Sequence, residues 1–243
     1  MKKRTSIEEM SAICTMLIED FLKRFHYSNT RVIDIEAFVT KYLGTKILYE
    51  DFAVNVPGRG GFISDGEQPL PVLRDGMKQY VIFPENVIVI DSSLRDPDEQ
   101  ARLRFTIAHE AAHFIMSKHV SGDFTAAFHT EYVDGEYYTP EMLKEMMSIT
   151  ETITNRSAAC LLMPTFIFDK ALKKYNDGNK VMIYAGSEIV IPEASKNTIK
   201  KMADSMGVSF RACYHRFREL SLFDVRPLEE YAATFLNSED GYV

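Results

Sequence analysis

Five residues, His109-Glu110-Ala111-Ala112-His113, carry the types and the spacing that metal-assisted hydrolysis needs. On an α-helix, two histidines four residues apart leave from the same face, because four residues make little more than one turn. Their imidazoles can therefore share one metal ion. Glu110 sits about 100° further round the helix, too far to share a ligand position but near enough to reach water on that metal. HExxH on a helix is the zinc-hydrolase signature for this geometric reason. The rest of the chain must supply a third ligand, a wall for the substrate and a means of choosing it.

A catalytic zinc takes three protein ligands and keeps one position for water. The donors downstream of His113 are His119, Asp123, His129, Asp134, Glu136, Glu141, Glu145 and Glu151. His119 is six residues past His113 and so on the opposite side of the same helix, which makes it a poor ligand. Asp123, His129, Asp134 and Glu136 fall in a stretch without sustained periodicity, where ligands are held less rigidly. The helical candidates are Glu141, Glu145 and Glu151. Of these Glu151 is favoured, because small residues in the following TITNRSAACLLMP let another helix approach closely. Asn155 lies one turn further along the same face, where an amide can support a ligand.

The elements that must position these groups can be read from periodicity. Ile7, Met10, Ile13, Cys14, Leu17, Ile18, Phe21 and Leu22 recur at helical spacing, predicting a helix from Ser6 to Phe25 with a Ser6/Glu9 capping box. A short helix is expected from Asp34 to Leu43, stopped at Gly44. Five short β-type runs follow: Lys46–Tyr49, Gly61–Ser64, Leu70–Leu73, Gln79–Phe83 and Val87–Asp91. They predict a small antiparallel or mixed sheet ahead of the metal helix, with VIVID buried on both faces. An edge strand of that sheet could align a peptide by backbone pairing. The metal helix is expected to begin near Asp96-Pro97-Asp98 and to bury Leu103, Ile107 and Phe114. Residues His119 to Pro140 read as a long loop, a candidate substrate lid. A long helix should run from about Pro140 to Met163, then a short one from Phe166 to Tyr175. The run VMIYAGSEIVI fits strand or helix equally.

From Ser195, the text SKNTIKKMADSMGVSFRACYHRFREL reads as helix, Gly-containing turn and a second helix capped by Ser209. Lys196, Lys200, Lys201, Arg211, Arg216 and Arg218 make it locally basic. The whole chain, however, carries a formal charge of -7, and one such element without a dimer partner argues for a structural or docking role over DNA binding. The 46% apolar content supports a substantial core. Cys14, Cys160 and Cys213 have no CxxC spacing and read as buried thiols of a reducing compartment. The basic start MKKR leads into an amphipathic pattern, so neither a signal peptide nor a membrane span is expected.

FTIAHEAAHF followed by ETITNRSAACLLMP resembles the ImmA/IrrE family of zinc metallopeptidases, whose pattern runs approximately FTLAHELGH and then ExxAN-x-FAAxLLMP. VIVIDSSL ahead of RLRFTIAHE, and MGVSFRACYHRFREL near the end, extend the likeness over most of the chain. The resemblance implies zinc held by His109, His113 and Glu151, with Glu110 as the catalytic glutamate. It also implies an α+β, zincin-like fold: a small sheet on the HExxH helix, a second ligand-bearing helix and a closing helix–turn–helix-like element. We expect a metallopeptidase domain over residues 1–194 and the helix–turn–helix-like segment and tail over 195–243. The implied activity is cytoplasmic cleavage of a helix–turn–helix transcriptional repressor, in mobile-element or stress control. Candidate oxyanion donors are His129, Tyr132, Tyr137, Tyr138 and Arg216. The alternative is a DNA-associated or repressor-binding regulator with a structural or degenerate metal site.

Overall fold

Residues 7–53, 59–119, 129–130 and 149–231 are described by a computed structural model of the chain. Ser6 of the expected capping box, the expected lid (apart from the backbone of His129 and Thr130) and the start of the long helix at Pro140 lie outside the described residues. Two compact units divide the chain, Met1–Thr165 and Phe166–Val243.

In the first unit, α1 (Ile7–Arg24) buries Met10, Cys14, Ile18 and Phe21 completely, at the three- and four-residue spacing of one helix face. The chain then turns into α2 (Ile35–Ala37), where Asp34 caps by accepting the Ala37 N–H at 2.9 Å. This helix widens directly into a π-helical turn, Phe38–Tyr42. The Phe21 ring meets those of Phe25, Tyr27, Phe38 and Tyr42 at centroid separations of 5.4, 5.1, 5.5 and 5.9 Å. Aromatic pairs at these distances add to plain area burial, so this cluster ties α1 to the turn ahead of the sheet.

The strands of this unit are β1 (Ile47–Glu50), β2 (Arg59–Ile63), β3 (Pro69–Arg74), β4 (Met77–Ile82), β5 (Ile88–Asp91) and β6 (His129–Thr130). The principal sheet runs β1-β5-β2-β6 and is mixed: β5 is parallel to β1 and antiparallel to β2, which is antiparallel to β6. Val87, Val89 and Ile90 are buried, as a doubly covered strand demands. The β3–β4 hairpin packs through Leu70 and Val72 on Phe62, Phe83, Val87 and Val89.

Next comes α3 (Gln100–His119), which carries His109, Glu110 and His113. Asp96 caps as expected, accepting the Asp98 N–H at 2.9 Å, but the first turn, Pro97–Glu99, is a 3-10 helix and the α-helix starts after it. Phe114 shares the helical face of Leu103 and Ile107 but is only partly buried, with the Lys118 ammonium 5.4 Å from its ring centroid. Arg102 pairs with Glu99 at 3.6 Å, and Arg104 is opposed by the charges of Asp34 and Glu36. The described part of the second long helix, α4 (Ile149–Leu162), packs on both α3 and α1. Ala108, Ala111 and Ala112 on α3 and Ser157, Ala158 and Ala159 on α4 are buried small residues. The Cys160 thiol donates to the Ser11 carbonyl at 3.3 Å, closing α4 against α1.

The second unit contains α5 (Thr165–Asn176), β7 (Val181–Ala185), β8 (Ile189–Val190), α6 (Glu193–Met206), α7 (Phe210–Glu219) and β9 (Phe223–Pro227). VMIYAGSEIVI is thus a strand, a turn and a second strand, with β7 antiparallel to β8. β9, absent from the expected elements, runs parallel to β7. That pairing binds residues 181–190 to the C-terminal segment, and the division between units falls at 165/166, well before position 194. Gly207, at φ +65°, ends α6 with its N–H on the Ala203 and Asp204 carbonyls, and Ser209 caps α7 by accepting the Ala212 N–H at 3.1 Å. Phe217 packs between Phe168 and Phe223, at 4.9 and 5.4 Å. No described helix is long and apolar enough to cross a membrane.

Two tests follow from this packing. Phe21→Ala removes a fully buried ring from the aromatic cluster, and a loss of about 3–5 kcal/mol is expected in urea unfolding. Half-buried His215 is held below its ordinary value of 6.5, first by burial and then by the Arg218 and Arg211 charges. Below that value the unfolded chain takes up a proton that the folded one refuses, so stability falls with pH from about 6.5 until the folded value is passed. His215→Gln should flatten that part of the stability–pH curve.

Candidate metal centre

His109 and His113 leave α3 one turn apart, and both are almost fully buried, 3% and 6% exposed. Glu110 is completely buried between them along the chain. Ionisable side chains reach such burial only when something balances them. Their imidazole planes stand 68° apart with centroids at 4.8 Å, so both rings reach forward from the same face without stacking. The two Nε2 atoms are 3.1 Å apart. Across from them α4 delivers Glu151, whose Oε2 lies 3.3 Å from His109 Nε2 and whose Oε1 lies 3.4 Å from His113 Nε2.

Whether these residues fit a metal follows from the separations. Ligand atoms about 2.0–2.1 Å from a tetrahedral ion stand roughly 3.3 Å from one another. The three separations here, 3.1, 3.3 and 3.4 Å, match that figure without any movement. The donor set, two imidazoles and a carboxylate, is also that of a catalytic zinc site with its fourth position open. His109, His113 and Glu151 together could hold one ion.

Asn155 sits one turn beyond Glu151, with Oδ1 3.0 Å from His109 Nδ1. A carbonyl oxygen in that position accepts, so the His109 proton resides on Nδ1 and the Nε2 lone pair faces Glu151. The tautomer needed for ligation is therefore set by α4, the same helix that brings the carboxylate. Thr154, the neighbouring residue, donates its hydroxyl to the Met116 sulfur at 3.4 Å and fixes α4 against the end of α3.

Of the five residues that sequence reasoning placed in one site, His109, His113, Glu151 and Asn155 are linked by separations of 3.0–3.4 Å, and Glu110 is buried next to His109 on α3. His119 closes α3, where only its backbone is described, as is that of His129 in β6. Asp123, Asp134, Glu136, Glu141 and Glu145, and the oxyanion candidates Tyr132, Tyr137 and Tyr138, lie outside the described residues. Arg216 belongs to the second unit, where it is buried and bonded to Glu219 at 3.2 Å. One neighbour of the site went unread in the sequence: Gly61 of β2, where an added Cβ would stand 2.7 Å from Glu110 Oε1. The signal was the glycine pair inside a strand, a mark of close backbone approach. Cysteine chemistry offers no competing nucleophile at Cys213, whose thiol burial pushes up to about 12.

Because Asn155 touches His109 and not the ion, Asn155→Ala is expected to weaken metal binding by about 10–100-fold without abolishing it. Chelator competition on the purified protein measures this.

The family described as the IrrE N-terminal-like domain, an M78 peptidase family, matches residues 40–218. The radiation response metalloprotease IrrE of Deinococcus deserti is 31% identical over 108 residues, which are 44% of this chain and 33% of that protein. The chain spans about a third of the length of the curated relative it matches. With most of its length inside the family match, this chain belongs to the IrrE N-terminal-like peptidase family.

Proposed function

We propose that the chain is a zinc-dependent endopeptidase, with His109, His113 and Glu151 holding the ion and Glu110 handling the proton. The observation that carries this reading is the convergence of two imidazole nitrogens and a carboxylate within 3.4 Å, beside a fully buried glutamate. A zinc ion bound there would lower the pKa of a coordinated water to roughly 7 and polarise a scissile carbonyl. Glu110 follows His109 directly on α3, so its side chain starts from a backbone position fixed relative to the ligand pair. It accepts the proton from the attacking water and returns it to the leaving amine. Asn155 keeps the His109 proton on Nδ1 throughout. Burial of all three helix residues excludes bulk water, which strengthens each of these polar interactions.

The substrate we propose is a helix–turn–helix transcriptional repressor, cut at a specific site in mobile-element or stress control. Resemblance to the ImmA/IrrE pattern supports this, together with a relative whose printed name places it in a radiation response. Buried Cys14, Cys160 and Cys213 accord with action in a reducing cytoplasm. A second reading, a DNA-associated regulator, draws on exposed Arg211 and Arg218 on α7, whose charges both act on His215. Against it, Lys200 is paired with Asp204 at 3.1 Å and Lys196 with Glu193 at 3.7 Å, which offsets the basic character of α6.

Co-expression with a candidate helix–turn–helix repressor separates these readings. Glu110→Gln should retain zinc and lose about 10²–10⁴-fold in cleavage rate. Glu151→Ala should lose both zinc and cleavage. Cleavage by Glu110→Gln at the wild-type rate would remove the assigned proton acceptor. Salt-dependent duplex binding that disappears on substitution of Lys200 and Lys201, with no cleavage by wild type, would favour the regulator.

A further inference from the structure

β2 lies against α3 at Gly60 and Gly61, and the two glycines meet different atoms. A Cβ on Gly61 would stand 2.7 Å from Glu110 Oε1, 2.9 Å from Glu110 Cγ and 2.7 Å from Thr106 Cγ2. Ordinary contacts between carbon atoms lie at about 3.5–4.0 Å. Gly61 does not occupy the left-handed region, so its backbone conformation would suit any residue. What demands glycine is the space taken by the Glu110 side chain. A Cβ on Gly60 would have as its three nearest atoms Leu94 Cδ1 at 2.7 Å and Thr106 Oγ1 and Cγ2 at 3.3 and 3.5 Å, none of them from Glu110. Neighbouring residues of a regular strand face opposite sides. Here the register shifts between Arg59 and Gly61, where β2 pairs with Thr130 and His129 of β6, and both glycines abut the helix.

We propose that Gly61 is a positioning residue for Glu110: its bare Cα forms one wall of the space in which the carboxylate is held. This rests on the peptidase reading above, in which Glu110 moves the proton. Since Cγ as well as Oε1 is in contact range, a methyl group at 61 cannot be relieved by turning the carboxylate alone. The whole side chain must change rotamer, away from the position where it serves the reaction. The three atoms nearest that methyl group belong to Glu110 and Thr106, not to His109, His113 or Glu151, so the metal ligands are expected to stay in place.

The test uses the full chain, zinc-loaded, with Gly61→Ala, Gly60→Ala, Glu110→Gln and the Gly61→Ala/Glu110→Gln pair. Thr106→Ser/Gly61→Ala is the second variant should Gly61→Ala fold poorly, since it removes the Thr106 methyl and leaves the encounter with Glu110. Gly61→Ala is expected to lower kcat by about 30-fold or more, with KM and zinc affinity within about threefold of wild type. In Gly60→Ala kcat stays within about threefold for the folded protein, and in the Glu110→Gln background Gly61→Ala changes the residual rate by less than about twofold. In glutamate 13C-labelled protein, the Glu110 carboxyl resonance moves in Gly61→Ala and not in Gly60→Ala. An unmoved resonance, an equal loss of kcat in Gly60→Ala, or an undiminished loss in the Glu110→Gln background overturns the proposal. If wild type cleaves nothing yet the resonance moves, the peptidase reading fails and the positioning claim stands.

Discussion

The first unit depends on one constraint: three groups that prefer water, His109, His113 and Glu110, are buried on a helix and must be balanced where they lie. Breaking a buried charged pair costs several kcal/mol, so the balance cannot be left to chance contacts. α4 brings Glu151 to them, and a cation held among the three donors would supply that balance; only a close approach of two helices puts a carboxylate within 3.4 Å of two imidazoles. Close approach in turn needs small side chains, and the alanines of α3 and the Ser-Ala-Ala run of α4 provide them. α1 braces α4 from behind through the Cys160–Ser11 bond, and the mixed sheet covers the other flank of α3 at Gly60 and Gly61. Each element can be read as a means of holding four side chains in a dry space. Metal binding to such a set is then coupled to folding, since the unfolded chain offers no comparable cluster.

Much of this site was legible because its geometry is local. Four-residue spacing places His109 and His113 on one face whatever the tertiary structure, and the Glu151/Asn155 pair follows the same rule on α4. The separation of 38 residues between His113 and Glu151 is long-range, and only the small residues around each helix hinted at the meeting. Strands were legible by type, because alternation and turn residues mark them, but their partners were not. β9 alternates apolar Phe223 and Val225 with Asp224 and Arg226, but it is short and ends at Pro227, and it is its pairing with β7 that marks it as a strand. The contact of Gly61 with Glu110 joins residues 49 apart and likewise emerges only once the strand lies on the helix.

The two units carry different kinds of argument. The first holds a donor set whose separations suit a metal, and its chemistry can be argued atom by atom. The second is a small sheet with paired helices whose interior is apolar and aromatic, with Phe217 edge-on to Phe168 and stacked on Phe223. Of its exposed basic residues on α6, Lys196 pairs with Glu193 and Lys200 with Asp204. Family membership spans both units, since the match runs from residue 40 to 218.

The account turns on what His109, His113 and Glu151 hold. X-ray absorption at the zinc edge, on protein purified without added metal, tests this most directly. The account predicts one zinc with two imidazole nitrogens and oxygen ligands at about 2.0–2.1 Å, and loss of the imidazole signal in His109→Ala/His113→Ala. Protein without zinc, or zinc with sulfur ligands at about 2.3 Å, would contradict it.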